Sequence, residues 1–321
     1  MGGITAVIPN WNRREHLVRL IGELRGQTHP PNRILVVDNG SSDGSPDAAE
    51  SLGATVIRLP QNLGFAPAVN RGVQAAATEW IALLNNDVRL APDWLQRLHA
   101  AVDQPDVWFG SGKLLQAANP RLLDGSFDLV CRGGCAWRAG SGRPDGPLWS
   151  HRRRIDIAPM TAALFRRDLF YSVGWLDERL GSYLEDVDFG LRCLLAGKSG
   201  VYEPAAVAYH TGSATLGVWS AQSVWWISRN QALLRAKYGL CGRWPAFVAQ
   251  ILWGLLAFRR GAWGAYLKGR REARRILRDW DLAPPEPAAL ESLLREHERQ
   301  IRDLQRRTGS DLFWRLYFAL T

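Results

Sequence analysis

Arg33-Ile-Leu-Val-Val-Asp-Asn-Gly-Ser-Ser-Asp-Gly-Ser45 reads as a short apolar strand that runs into a carboxylate and then a turn of Gly, Ser and Asn. A brief apolar run bounded by turn residues marks a buried strand. Working outward, residues 4–8 form another such run and residues 55–59 and 80–84 two more. Between them lie helical patterns. Leu17, Leu20, Ile21 and Leu24 share one helical face, with Asn12 and Glu15 spaced as a capping box in front of them. Residues 45–52, 65–77 and 93–102 also read as helices. Strands and helices alternating at this length predict an α/β fold, a mostly parallel sheet with helices on both faces. Ligands of such sheets bind at the carboxyl ends of the strands, so the residues just after each strand are the ones to read.

From 107 to about 150 the pattern weakens and Gly, Pro and Arg rise, which reads as long loops or a small irregular sheet over the site. Order returns with a strand at 158–166, a short helix at 167–173, a helix from Glu185 to Ala196, a strand at 201–210 and a helix at 222–237. Beyond Cys241 the composition turns helical and rich in Arg, Trp and Leu. The expected organisation is a catalytic domain at 1–240 and a basic, Trp-rich helical extension at 241–321.

The 321 residues carry 40 Lys and Arg against 31 Asp and Glu, a net charge of +9, which points to an anionic partner: nucleic acid, anionic lipid or a phosphorylated substrate. The charge is uneven, since a single acid, Glu272, interrupts the basic run from Arg259 to Arg278. Four cysteines in a chain this long make no disulfide framework, and Cys131 with Cys135 has no second pair at metal spacing to answer it. The chain starts almost directly in a strand pattern with no secretory signal, so a reducing, cytoplasmic setting is expected.

Several strand ends carry chemistry. The first strand runs into Pro9-Asn10-Trp11-Asn12 and the second into Asp38. A carboxylate before a Gly/Ser turn can accept a nucleobase N–H, and turn amides can face phosphate, although the same residues also make ordinary turns. Asn62, Asn70 and Arg71 flank the entry to the third helix and suit either a nucleotide site or a cap with a solvated face. The fourth strand ends in Asn85-Asn86-Asp87, where an acid can hold Mg2+ or Mn2+ or simply make a turn. Glu185, Asp186 and Asp188 open a helix, either to complement its dipole, with Asp188 pairing Arg192, or to project a general base into a site. His210 ends a strand as a metal ligand or a structural histidine.

Taken in order, these pieces resemble glycosyltransferase family 2, of the GT-A fold, and most closely its bacterial rhamnosyltransferase-like members. The resemblance covers residues 3–237. It rests on Val7-Ile-Pro-Asn-Trp-Asn12, on Val36 through Ser45, on Asn62-Leu-Gly-Phe65 with Asn70, and on Leu84-Asn-Asn-Asp87 at the place of the family's D-x-D motif. Gly174-Trp-Leu-Asp-Glu-Arg179 followed by Glu185-Asp-Val-Asp-Phe189 is its most specific part. The resemblance implies that Asp38 binds the nucleobase and that Pro9 and Asn10 shape the base and ribose pocket, with Asn62, Asn70 and Asn85 beside them. It implies that Asp87 and His210 bind a divalent cation, Mg2+ or Mn2+, and that Asp186, or else Glu185, is the base. Asn85 departs from the family pattern by standing where the first D-x-D acid belongs, which weakens the expectation of tight metal binding.

The implied reaction is a metal-dependent inverting transfer from a nucleotide-diphosphate sugar, rhamnose on dTDP first and UDP-linked hexoses next. The acceptor is a hydroxyl of a glycan or lipid-linked glycan in cell-surface polysaccharide synthesis. Polyprenyl-phosphate glycosyl transfer, nucleotidyl transfer and a non-enzymatic basic module for membrane or nucleic acid are the alternatives; nucleic acid is not the expected partner. Oligomeric state is not written in the sequence. Residues 246–258 are mostly apolar, but as a helix they reach only about 20 Å, short of the roughly 30 Å hydrocarbon core. With the basic run behind them and Trp253, Trp263 and Tyr266 at amphipathic spacing, they are expected to lie on the inner face of the cytoplasmic membrane as a peripheral attachment. The alternative is a helical subdomain packed on the catalytic domain or on a second subunit of a homo-oligomer.

Overall fold

The computed structural model describes residues 2–211 and 219–321; Gly212 and Ser213, which follow His210 and Thr211, lie outside them. The chain divides into two compact units, residues 1–127 with 140–212, and residues 128–139 with 213–321. Composition draws a boundary at 240, whereas packing places residues 219–240 and the internal piece 128–139 with the C-terminal helices. A composition shift registers only contiguous stretches, so a piece taken from mid-chain leaves no trace in it.

In chain order the elements begin with β1 (Ile4–Asn10), α1 (Arg14–Arg25), β2 (Arg33–Asp38), α2 (Ser45–Ser51), β3 (Thr55–Arg58), α3 (Phe65–Ala75), β4 (Trp80–Leu84), β5 (Val88–Leu90) and α4 (Trp94–Val102). There follow β6 (Val107–Gln116), β7 (Leu123–Gly125), β8 (Asp128–Val130), β9 (Ala136–Arg138), β10 (Arg153–Ile155), β11 (Ala162–Arg166), α5 (Arg167–Ser172), α6 (Glu185–Leu195) and β12 (Ser199–His210). The main path of the first unit's sheet is β10-β12-β6-β11-β4-β1-β2-β3, with β5 on β12 and β7 on β6. From β4 to β3 all pairings are parallel, as the alternating pattern requires. Beyond β4 the sheet is mixed: β11 runs antiparallel to both β4 and β6, and β12 parallel to β6. Leu17, Leu20, Ile21 and Leu24 of α1 and Trp94, Leu95 and Leu98 of α4 are buried with the apolar residues of β1 and β4 in one core.

Two local expectations are corrected. Residues 107–116 are not a loop but a ten-residue strand inside the sheet. Its Gly110-Ser111-Gly112 breaks the apolar run, yet Gly112 belongs there: a Cβ would fall 2.1 Å from the Ala206 carbonyl oxygen, where β12 bulges between Glu203 and Val207. Nor does Asn12 cap α1. Asn12 and Arg13 both take left-handed backbone, and the Arg14 N–H is satisfied instead by Asp43 Oδ2 at 2.8 Å, from the turn after β2.

Among the described residues the second unit holds the β8–β9 hairpin and five helices, α7 (Ala221–Lys237), α8 (Trp244–Arg259), α9 (Trp263–Arg278), α10 (Pro287–Thr308) and α11 (Leu312–Leu320). The hairpin is tied to these helices by polar contacts. Val130 N–H meets His297 Nδ1 at 3.1 Å, Arg132 Nε donates to Glu298 Oε2 at 2.7 Å, and Arg235 Nε donates to the Gly133 carbonyl at 2.7 Å. Tyr317 Oη accepts from Gly133 N–H and donates to Glu298 Oε1.

Candidate active site

β1 sits between β2 and β4. Its pairing with β2 continues to Asn10↔Asp38, but its pairing with β4 stops at Val7↔Leu83. The order β4-β1-β2-β3 makes this boundary the topological switch point, where the carboxyl ends part and leave a crevice. The Asn10 carbonyl accepts from Asn39 N–H on the β2 side at 2.7 Å. By strand alternation the Pro9 backbone therefore faces the β4 side, where the ladder has already ended, and its missing N–H forfeits nothing.

Asn10 is the hub of this crevice. Its Nδ2 donates to Ser45 Oγ at 2.9 Å, Asp38 Oδ1 at 3.1 Å and Ser41 Oγ at 3.2 Å, and its Oδ1 accepts from Asn86 Nδ2 at 2.8 Å. The other Asp38 oxygen accepts the Ser41 N–H at 3.1 Å. Buried polar groups must be paired, and these pair one another, so the two βα turns form one cross-linked edge.

One arm of the web leaves through Asn39. Its Nδ2 donates to the Gly64 carbonyl at 2.8 Å, and its Oδ1 accepts Leu63 N–H at 2.9 Å. Asn62 is exposed and caps locally, accepting Gly64 N–H at 3.0 Å. The start of α3 then meets the turn before α6: Ala66 N–H donates to the Gly181 carbonyl at 2.8 Å and Phe65 N–H to Ser182 Oγ at 3.2 Å. Tyr183 and Leu184, at φ 69° and 68°, are two successive left-handed residues outside glycine. Such backbone costs on the order of 1–3 kcal/mol each and persists where its surroundings enforce it. Here it sets where α6 begins. Of the three acids opening that helix, Asp188 is fully buried and paired with Arg192, Glu185 is buried, and Asp186 is half-exposed. Asn70 does not line the crevice with free groups. Its amide clamps the loop before α6, donating to the Leu176 carbonyl at 2.9 Å and Glu178 Oε1 at 3.0 Å and accepting from Leu176 N–H at 3.0 Å. Arg71 is exposed.

The other arm runs through Asn86 to its neighbours. Asn85 is half-buried, with its N–H on the Thr161 carbonyl at 2.9 Å, and Asp87 is buried. Asp87 Oδ1 lies 3.2 Å from His210 Nε2, and His210 Nδ1 lies 2.9 Å from Asp124 Oδ2. Burial opposes charge on His210, but hydrogen bonds to Asp124 and Asp87 outweigh it and push the imidazole up to about 9. Burial likewise works against the Asp87 carboxylate, but the bond to His210 and the charges of His210 and Arg13 hold it below the usual range. Among the described residues no group of three or more His, Cys, Asp or Glu is arranged to hold a metal ion. The pair itself is compatible with one. Adjacent ligands of an octahedral ion with bonds of about 2.1 Å stand about 3.0 Å apart, close to the observed spacing, and such ions keep several waters. An acid on the far nitrogen of a ligating histidine is the usual outer partner.

Asn39, Asn86 and Asp124 have no role in the sequence reading. The first two stand inside the quoted motifs, Asn39 directly after Asp38 and Asn86 directly after Asn85. Asp124 comes from a three-residue strand in the irregular stretch and carries no local signal.

Residues 5–114 match the family model described as glycosyl transferase family 2. The chain is 30% identical over 219 residues to N-acetylglucosaminyl-diphospho-decaprenol L-rhamnosyltransferase of Mycobacterium tuberculosis, covering 61% of this chain and 71% of that one. It is also 30% identical over 234 residues to the pre-mycofactocin glycosyltransferase of the same organism, of whose length it spans 46%. A mannosyltransferase from Pyrobaculum calidifontis, solved with GDP-Man and Mn2+, superposes with a TM-score of 0.55 at 15% identity, over 99% of this chain and 86% of that one. GalNAc-T7, solved with UDP, GalNAc and Mn2+, gives 0.62 at 14% identity, over 85% and 55%. The structures establish a shared GT-A fold. The relatives establish the lineage, and the chain belongs to glycosyltransferase family 2.

Proposed function

We propose that this glycosyltransferase moves a sugar with inversion from a nucleoside diphosphate to a hydroxyl of a glycan or lipid-linked glycan in cell-surface polysaccharide synthesis. Rhamnose on dTDP is the first donor to test and UDP-linked hexoses the second. The reading rests on one observation: the Asp87–His210 pair and the Asn10–Asp38 cluster are joined through Asn86 at a single crevice. The rhamnosyltransferase name of the M. tuberculosis relative supports the choice of sugar and of a lipid-linked acceptor.

In this reading Asp38 accepts the nucleobase N–H, Pro9 and Asn10 form the wall beside it, and Asn62 and Asn85 border the nucleotide. Asn70 acts one step back, by fixing the loop that leads into α6. Asp87 and His210 Nε2 would hold Mg2+ or Mn2+ once Nε2 gives up the proton it shares with Asp87, and Asp124, by accepting Nδ1–H, fixes the ring with Nε2 on the Asp87 side. A divalent cation bound there offsets the negative charge developing on the departing diphosphate. Asp186 is the general base, taking the acceptor hydroxyl proton as attack proceeds opposite the leaving group. Glu185 is the weaker candidate because its burial leaves it less open to an acceptor. Catalysis is assigned to residues 1–240 and attachment to the cytoplasmic face of an anionic membrane to 241–321; no helix among the described residues is long and apolar enough to cross one.

The test is product analysis with dTDP-rhamnose, UDP-hexoses, Mn2+ and a water-soluble analogue of a lipid-linked acceptor. Release of the nucleoside diphosphate with a glycosylated acceptor is expected. Release of inorganic diphosphate would make the protein a nucleotidyltransferase, and turnover of no donor would sink the donor assignment.

A further inference from the structure

The second unit carries an apolar surface that its own fold leaves uncovered. Along α8 the outward side chains are Trp244, Phe247, Ile251, Leu255 and Phe258, from 43% exposed at Ile251 to 67% at Phe258. Their spacing keeps them on one helical face, and no charged residue occurs between Trp244 and Phe258. The opposite face, with Ala246, Val248, Ala249 and Leu252, is buried. α8 is therefore apolar on the side it packs and on the side it presents, which a helix on a soluble surface avoids. α11 repeats the pattern, with Trp314 and Tyr317 buried and Leu312, Leu316 and Leu320 exposed. The helices pack together, and Trp244 Nε1 donates to the Leu320 carbonyl at 2.7 Å, so the two stripes meet. Trp253 and Tyr266, which the sequence points outward, turn inward instead: Trp253 stacks on Trp219 and donates to Ser228 Oγ, and Tyr266 is buried.

The edges of this surface are basic. Arg259 and Arg260 follow Phe258 at the turn into α9, where Phe258 and Trp263 touch edge to face. At the other end a cavity of about 290 Å³ between α10 and α11 is lined by Arg302, Arg306 and Arg315 together with Trp314 and Phe318, and no carboxylate lines it. Arg315 and Ala319, on its rim, are neighbours of Leu316 and Leu312 on the α11 surface.

We infer that the joined faces of α8 and α11 are a monotopic docking surface for an anionic lipid bilayer. The inference rests on the membrane reading above and names the residues that carry it. The apolar side chains enter the acyl boundary, and the arginines at both ends meet headgroup phosphates. α8 lies in the plane rather than across it, since its 16 residues span only about 24 Å. A second copy of the chain fits the same surface less well. A two-fold pairing of this face sets the same basic rim on both sides of the interface, and like charges there repel.

Vesicle flotation with the full chain tests this, comparing phosphatidylcholine alone with phosphatidylcholine containing phosphatidylglycerol. The wild type should float only with phosphatidylglycerol present and release as salt rises. Leu255→Glu with Phe258→Glu should weaken binding by about tenfold or more. Arg302→Glu with Arg306→Glu should abolish flotation with the phosphatidylglycerol vesicles. All variants should keep the wild-type melting temperature and wild-type transfer to the water-soluble acceptor. If both variants float like the wild type, this surface is wrong while the membrane reading stands. If the wild type floats with neither vesicle, the membrane reading fails, and this inference with it. If the wild type is a dimer by sedimentation that Leu255→Glu with Phe258→Glu splits, without vesicle binding, the occupant is a second copy and the inference is overturned.

Discussion

Replacing Arg192 with Met keeps most of its stem and removes a four-bond guanidinium. Arg192 donates from Nε to Asp188 Oδ2 at 3.1 Å, from Nη1 to the Val173 and Gly174 carbonyls at 2.6 and 2.8 Å, and from Nη2 to the Trp175 carbonyl at 2.8 Å. The substitution takes away the counter-charge of a carboxylate with no exposure and the donors of three carbonyls. Breaking a buried pair costs about 3–5 kcal/mol, and the Arg side chain's 19% exposure, which admits water to the gap, places the loss near the low end, about 3 kcal/mol. For a unit of this size each kcal/mol moves the melting temperature by about 2–4 °C, so a fall of about 6–12 °C is expected. Thermal unfolding followed by circular dichroism reads it. Asp188→Asn in the Arg192→Met background removes the stranded charge and should restore roughly half the loss, a coupling that a double-mutant cycle isolates. A melting point for Arg192→Met within about 2 °C of wild type, or a double variant no better than the single one, would refute the clamp.

Asp186→Asn should lower kcat by about 10²–10⁴-fold while donor affinity measured by calorimetry stays unchanged; full activity of both this variant and Glu185→Gln would remove the base from the start of α6. Asp87→Ala and His210→Ala should abolish saturable Mn2+ binding followed by electron paramagnetic resonance, and Asp124→Asn should loosen it about 10–100-fold; identical Mn2+ titrations across the series would mean that the pair is not the ligand set. Asp38→Ala should raise the donor KM more than it lowers kcat, because a nucleobase contact supplies binding equally to ground and transition states, and an unchanged KM would leave Asp38 a turn residue.

How far the sequence reads depends on the range of the interaction. The parallel half from β1 to β4 is legible because each element declares itself locally: apolar runs for strands, a periodic face for α1, Gly and Asn between them. The strand ends are legible as candidates for the same reason, and Asp188 with Arg192 pairs at helical spacing as read. β6 is hidden because Gly112 answers to Ala206, far along the chain, rather than to its neighbours. Asp43 capping α1, Asn39 reaching Gly64 and Asp124 meeting His210 are likewise non-local. Each joins residues at separations of 25 or more. Trp253 and Tyr266 failed as outward markers because helical spacing says which residues share a face, not which face a neighbouring helix covers.

The interleaved second unit imposes a schedule on the newborn chain. Gly133 in the β8–β9 turn must wait for Tyr317, 184 residues downstream. At a synthesis rate of about 5–20 residues per second the hairpin waits roughly 10–40 s for the last of its partners. Until α7 brings Arg235, 102 residues beyond Gly133, the buried Leu129, Cys131, Cys135 and Trp137 have no helix of their own unit to cover them. The first unit is likewise interrupted while it forms, because residues 140–212 return to the sheet only after the hairpin has emerged. Chaperone demand should therefore peak late in translation, and a chain ended at 240, where composition invites a cut, would lose the hairpin's partners His297, Glu298 and Tyr317 together.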